Sequence, residues 1–339
     1  MKRKYYLDNL KVFLTVLVIF HHAGQAYGDG GDWAYHPSNP AERMSWIWHF
    51  FSVNAAFFMG LFFLISGYFV PSSYDKQGIR VFVKKKLVRL GIPLLVMGCI
   101  TSGITCRFEV AHMWFVESLL VFCLIYALIR KFYKPVHSNC SSKPTIIGMV
   151  VLGAVIGIGS YFIRLESPQD HWIWPFGIIP LPMEPAHYLQ YVIMFVVGVL
   201  ANRFDWLEKM SNTTGRRSLL IGLLLSLGMY MVDGGWWSDF VWQWYGIYES
   251  FLCVFISFGL IWLFRQQYDT SSTFIKWCAA QTYGAYILHL LLMLGIQYVF
   301  DGVWMGAFGK FVFISVATTI ISFVLAWTLR CIPGVKKVL

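Results

Sequence analysis

The sequence predicts an all-α, polytopic integral membrane protein of about ten transmembrane helices, with both termini cytosolic. Three observations carry that prediction. The 339 residues are 58% hydrophobic and only 13% charged, with a mean hydropathy of +0.60, whereas a soluble domain carries about a quarter charged residues. Apolar runs near the roughly 20 residues that a span requires recur along the whole chain. Lysine and arginine gather on alternate sides of those runs, as cytoplasmic loops demand.

The runs, in order, are 10–28, 46–70, 89–106, 111–130, 145–164, 187–203, 218–233, 243–264, 277–299 and 310–329. The third, sixth and seventh are short for a span. The first could pass for a signal peptide, but its His21–His22 pair and the spans behind it argue for a retained helix. Turn chemistry separates the runs: "GDGGDWAYHPSNP", "PSSYDKQG", "SPQDHWIWPFGIIPLPMEP", "SNTTGRR", "DGGWWSD" and "YDTSST". No internal repeat and no soluble domain stands out, so residues 1–339 read as one membrane domain with nothing appended.

With the N-terminus inside, 23 of the 27 lysines and arginines fall on the cytosolic side. Those outside are Arg43, Arg107, Arg164 and Lys310. The formal net charge of +10 is thereby explained by topology, and no nucleic acid partner is expected. Seven cysteines (Cys99, Cys106, Cys123, Cys140, Cys253, Cys278 and Cys331) form no CxxC pair. Neither a disulfide framework nor a metal site is expected. Eleven of the fifteen tryptophans, Trp33, Trp174 and Trp304 among them, fall at the outer face. An interfacial belt populates both faces, so the excess fits either loop packing or a carbohydrate-facing surface.

Ionisable groups within spans are costly and point to function by default. Here they are His21, His22, Glu117, Glu249 and His289. His49, His112 and His187 lie at outer span ends, where the interface explains them. Lys11 and His22 are eleven positions apart, about 1100° of helix, so they share a face roughly 16 Å apart along the axis. One face can then hold an anion at the cytosolic mouth and a proton-transfer group beyond the midplane. A snorkelling lysine and a packed histidine are the plainer readings. Glu117 and Glu249 belong to the same outer half as His22, and either carboxylate could orient its imidazole. His289 lies mid-span, suited equally to a site or to a helix–helix hydrogen bond. The densest basic run, "IRVFVKKKLVRLGIP", holds Lys86 and Arg89 three positions apart. Two cations so spaced suit phosphate, though a basic inner loop would look the same.

Five segments in order, "YLDNLKVFLTVLVIFHHA", "FFLISGYFVP", "KKKLVRLGIP", "HMWFVESLLVF" and "TYGAYILHLLLML", resemble motifs of the membrane acyltransferase type 3 family. That family includes glucan biosynthesis protein C-like succinyltransferases and polysaccharide O-acetyltransferases. The resemblance covers essentially the whole chain. It implies an acyl-CoA donor, acetyl-CoA by default and succinyl-CoA second, with phosphates at Lys86 and Arg89 and perhaps at Lys11. It implies His22 as general base or acyl relay, helped by Glu117 or Glu249, with His289 a further candidate. The acceptor is then a hydroxyl of an extracytoplasmic or lipid-linked carbohydrate, in the cell membrane. Two departures stand out: lysine replaces the family's arginine at Lys11 and Lys86, losing the bidentate fork, and no hydrolase-like domain is appended. Read without the resemblance, the same His and Glu groups also permit a proton-coupled transporter of a glycan or metabolite.

Overall fold

A computed structural model describes residues 3–28, 33–105, 111–133, 142–169, 171–173, 183–270 and 272–339. Lys2, Cys106, Arg107, Lys134, Cys140 and Trp174 lie outside the described residues. Among the described residues the protein is all-α, 83% helical, with no strand. The helices are α1 (Tyr5–Tyr27), α2 (Ile47–Lys86), α3 (Ile92–Thr105), α4 (Trp114–Phe132), α5 (Ile146–Glu166) and α6 (Pro185–Arg203), then α7 (Trp206–Lys209), α8 (Asn212–Tyr230), α9 (Gly235–Gln243), α10 (Tyr245–Gln267), α11 (Thr273–Val299) and α12 (Ala307–Arg330).

Among the described residues, six helical segments, 47–103, α5, α6, α10, α11 and α12, are long and apolar enough to cross a membrane, and a seventh is added if α8 and α9, bent by 117°, count together. This is a multi-pass membrane protein. At 23 and 19 residues, α1 and α4 also have the length of a span. Their apolar character is diluted by Asp8, Lys11, His21 and His22 in one and by Glu117, Arg130 and Lys131 in the other.

Boundaries differ from the sequence reading at "DGGWWSD", inside which α9 begins at Gly235, and at two further places. "PSSYDKQG" is helical rather than a loop, and α2 runs for 40 residues. Up to its break, residues 47–77, the helix is about 46 Å long, half again the hydrocarbon thickness. Asp75, Lys76, Arg80 and Lys84–Lys86 thus lie beyond the length that the hydrocarbon requires. The break falls at Gly78, whose φ of 71° a residue with a side chain rarely adopts. A π-helical turn, Leu87–Gly91, leads into α3. The second difference is α8, which starts at Asn212 rather than 218 because the Ser211 hydroxyl accepts from the Thr214 N–H at 3.1 Å and caps it.

The chain divides into two compact units, residues 1–58 with 264–337 and 339, and residues 59–263 with 338. In the first, α1 packs on α11 and α12 around Ile19, Ala23, Tyr27, Trp33, Met293, Phe311, Ile314 and Phe323. In the second, α2 and α6 touch backbone to backbone. A Cβ at Gly67 would strike the Phe195 carbonyl, and one at Gly198 would strike the Leu64 carbonyl. Small residues permit that approach between membrane helices.

Candidate active site

The first unit holds His22. Its helix is set at the N-terminus by polar contacts. Asp8, in the first turn where the helix dipole favours an anion, pairs with Arg3 at 2.8 Å and Lys11 at 3.0 Å. Asn9 donates to the carbonyls of Tyr268 and Thr270 at 2.5 and 3.0 Å. Lys11 therefore meets Asp8, a neighbour on its own helix. From there α1 runs unbroken to His22.

His22 Nδ1 lies 3.0 Å from His289 Nε2, and the rings stack at 5.1 Å between centroids. His289 is fully buried on α11, and its Nδ1 lies 2.6 Å from the Tyr286 carbonyl. The carbonyl can only accept, so His289 Nδ1 carries the proton and its Nε2 is left as an acceptor. His22 must then donate from Nδ1, which leaves its lone pair on Nε2. A backbone carbonyl so fixes the tautomers of two imidazoles in series, the arrangement by which a remote partner selects the reactive nitrogen. The Trp33 indole stacks on His22 at 5.5 Å and 24°, and its N–H donates to Gln297 at 3.0 Å.

The loop that carries Trp33 is strapped down. Lys310, fully buried, pairs with Glu42 and donates to the Asp301 carbonyl, each at 2.7 Å. The Asp301 carboxylate accepts from the Tyr35 hydroxyl at 2.5 Å, the Ser38 hydroxyl at 2.5 Å and the Ser38 N–H at 3.1 Å. Those bonds, first from Ser38 and then from Tyr35, hold the carboxyl down at about 2. Burial, and donation to Asp301, push the Tyr35 hydroxyl up.

The second unit holds the other expected residues. Glu249 is buried, paired with Arg164, and lies 3.0 Å from His187 Nε2; the other nitrogen of His187 faces Glu184 at 2.8 Å. Arg164 also covers the Tyr245 ring. Glu117 stands in the first turn of α4, with Oε2 buried and unpartnered. Lys86 closes α2, its ammonium 5.5 Å from the Phe82 ring centroid and beside the Cys123 thiol. Arg89 sits in the π-turn that follows. Toward the polar end of α2, Asp75 joins Arg130 at 2.8 Å and Arg203 at 2.5 Å, and Arg203 donates to the Tyr126 hydroxyl at 2.9 Å.

The structure thus brings His22 and His289 together, and sets Lys86 just before the π-turn that contains Arg89. Glu249 is engaged inside its own unit by Arg164 and His187. Sequence reasoning missed Glu42, Glu184 and the polar partnerships of Arg164, His187 and Lys310. One signal was available. Arg164 and Lys310 broke the charge asymmetry of the loops, and each is paired with a buried carboxylate. The outer-face tryptophans divide: Trp33 is buried, while Trp46, Trp236, Trp242 and Trp304 are exposed. Among the described residues, no group of three His, Cys, Asp or Glu is placed to hold a metal.

Comparison with known proteins gives a consistent result. The family model described as an acyltransferase domain matches residues 4–327. Glucans biosynthesis protein C of Escherichia coli O81 (strain ED1a) is 26% identical over 295 residues, covering 76% of this chain and 72% of the relative. The protein of the same name from Escherichia coli (strain K12) is 25% identical over the same length and coverage. No solved structure matches. The match of that family model over nearly the whole of this all-α chain places the protein in the membrane acyltransferase type 3 family, as an acyltransferase.

Proposed function

We propose that this acyltransferase moves an acyl group, acetyl by default and succinyl second, from a cytosolic acyl-CoA to a hydroxyl of an extracytoplasmic or lipid-linked carbohydrate. The observation that carries the proposal is the chain from the Tyr286 carbonyl through His289 to His22. It leaves a basic nitrogen, His22 Nε2, within a membrane helix. That nitrogen takes the proton of the acceptor hydroxyl as its oxygen attacks the thioester carbonyl. The new C–O bond forms, the C–S bond breaks, and the departing thiolate takes the proton from the imidazolium. An acyl-His22 relay would use the same nitrogen as nucleophile. Lys86 and Arg89 hold the phosphates of the donor, with Lys11 adding charge, while Glu117 and Glu249 are the acidic candidates for the same reaction. The relatives' name, glucans biosynthesis protein C, favours a glucan among possible acceptors.

The proposed setting is the cell membrane, crossed ten times, with both termini cytosolic. Three clusters support that topology, because each gathers groups that the charge rule assigns to one side. Asp75, Arg130 and Arg203 are inner groups. Arg164, Glu184, His187 and Glu249 are outer groups, as are Glu42, Asp301 and Lys310. The test is transfer of acyl label from acetyl-CoA, with succinyl-CoA in parallel, supplied to the cytosolic face of inside-out vesicles that contain native envelope glycans. Label on lumenal glycan with wild type and none with His22→Ala is the expected result. Equal transfer by both would remove His22 from the chemistry. No transfer and no CoA binding by wild type would end the proposal.

A further inference from the structure

Among the buried polar atoms of the first unit without a hydrogen-bond partner are His21 Nδ1 and Gln25 Oε1, which flank His22 on α1, and Asn54 Nδ2 on α2. His21 and Asn54 are more than nine-tenths buried. Each orphan costs free energy that a native fold does not normally leave unrecovered, so a group not part of the chain is expected to satisfy it.

The register of α1 against α2 puts the three on one seam. The His21 ring packs against Phe51 and Phe58 at 5.4 and 4.9 Å between centroids. A Cβ at Gly24 would fall 2.6 Å from the Phe51 ring, and one at Gly28 would fall 2.7 Å from Ile47. Asn54 lies one turn from both Phe51 and Phe58 on that side of α2. Gln25 stands three positions from His22 and four from His21, so its side chain neighbours both imidazoles. The seam is at the end of α1 remote from Lys11, where the strapped loop with Trp33, Glu42 and its partner Lys310 joins α1 to α2. Under the topology above, that is the side from which the acceptor arrives. Two neutral carboxamides, one offering an acceptor and the other a donor, match hydroxyls rather than a charged group.

We propose that Gln25 and Asn54 form the acceptor subsite beside His22. Gln25 Oε1 accepts from one carbohydrate hydroxyl and Asn54 Nδ2 donates to another, presenting the reacting hydroxyl to His22. The inference rests on the acyl-transfer reading. It is tested with the full-length protein in vesicles by titrating native envelope glycan, measured as hexose, and acyl-CoA separately. Gln25→Leu and Asn54→Leu are each expected to raise the KM for glycan about threefold to tenfold, the worth of one lost neutral hydrogen bond. The KM for acyl-CoA should stay at the wild-type value, and the melting temperature should be unchanged or higher, because a buried orphan has been removed. Asn54→Ser, a smaller donor that guards against misfolding with leucine, should fall between wild type and Asn54→Leu. A rise in the KM for acyl-CoA alone would overturn the proposal by giving the seam to the amides of the donor's pantetheine arm. Unchanged KM values with a higher melting temperature would overturn it in favour of water. A wild type that transfers nothing would instead overturn the function itself.

Discussion

The most informative perturbation is at His289, because it separates the tautomer argument from the mere presence of His22. His289→Leu keeps the buried volume and removes the acceptor for His22 Nδ1, now at 3.0 Å. In the ground state that bond joins two neutral rings and is worth about 0.5–1.5 kcal/mol. As His22 takes the proton its ring becomes cationic, and a bond to a charged donor is worth about 1.5–3 kcal/mol. Only the difference between the two, about 1–1.5 kcal/mol, bears on kcat, and at about 1.4 kcal/mol per tenfold its loss lowers kcat by roughly 5- to 12-fold. His289→Gln places a carboxamide oxygen where it can accept from the same N–H, so it should recover much of that loss. The assay is label transfer from acyl-CoA to envelope glycan in inside-out vesicles, at matched protein level and with the melting temperature recorded for each variant. The reasoning is refuted if the leucine variant retains wild-type kcat. It is refuted equally if the glutamine variant is as impaired as the leucine variant while both fold, since the acceptor would then not matter.

Three further outcomes follow from named contacts. Glu42→Gln leaves the Lys310 ammonium buried without its carboxylate, a loss of about 3–5 kcal/mol; Glu42→Leu combined with Lys310→Met should recover most of it, and thermal melting of the three proteins decides. The Asp301 carboxyl is held below its ordinary value, at about 2, so its contribution to stability is complete above roughly pH 4 and is lost as the pH falls toward 2; Asp301→Asn should be less stable at neutral pH and should flatten the acid limb of a melting profile, and an unchanged limb would count against the loop strap. Lys86→Ala and Arg89→Ala should each raise the KM for acyl-CoA while leaving the KM for glycan unchanged, and Lys86→Arg should bind at least as well as wild type because the guanidinium fork suits phosphate; loss of kcat alone in the alanine variants would remove these residues from donor binding.

Much of this protein was legible one segment at a time. Span-length apolar runs and charge asymmetry are local properties, and they were enough to identify a multi-pass helical membrane protein and most of its helices. His22 stood out because an ionisable group in an apolar run is costly wherever the run packs. Lys86 and Arg89 stood out because three positions along a helix are always neighbours. Some local features were still misread. The polar stretch after Val70 looks like a loop, but helix continues to either side of the break at Gly78. The start of α8 was hidden by the polar cap at Ser211.

The partnerships were decided elsewhere. His22 meets His289 267 positions away in the chain, Lys310 meets Glu42 268 away, and Arg164 meets Glu249 85 away. The sequence alone nominated a carboxylate as the orienter of His22; the structure puts a second imidazole beside it, and that imidazole is held in turn by a backbone carbonyl. It also separates paired from unpaired polar atoms, setting Glu249 between Arg164 and His187 while leaving Gln25 Oε1 and Asn54 Nδ2 without a hydrogen-bond partner. The physical reason is that a buried charge or imidazole must be satisfied, but composition and spacing do not specify which distant group satisfies it. That choice is made when the helices pack, because packing fixes which faces meet and at what depth.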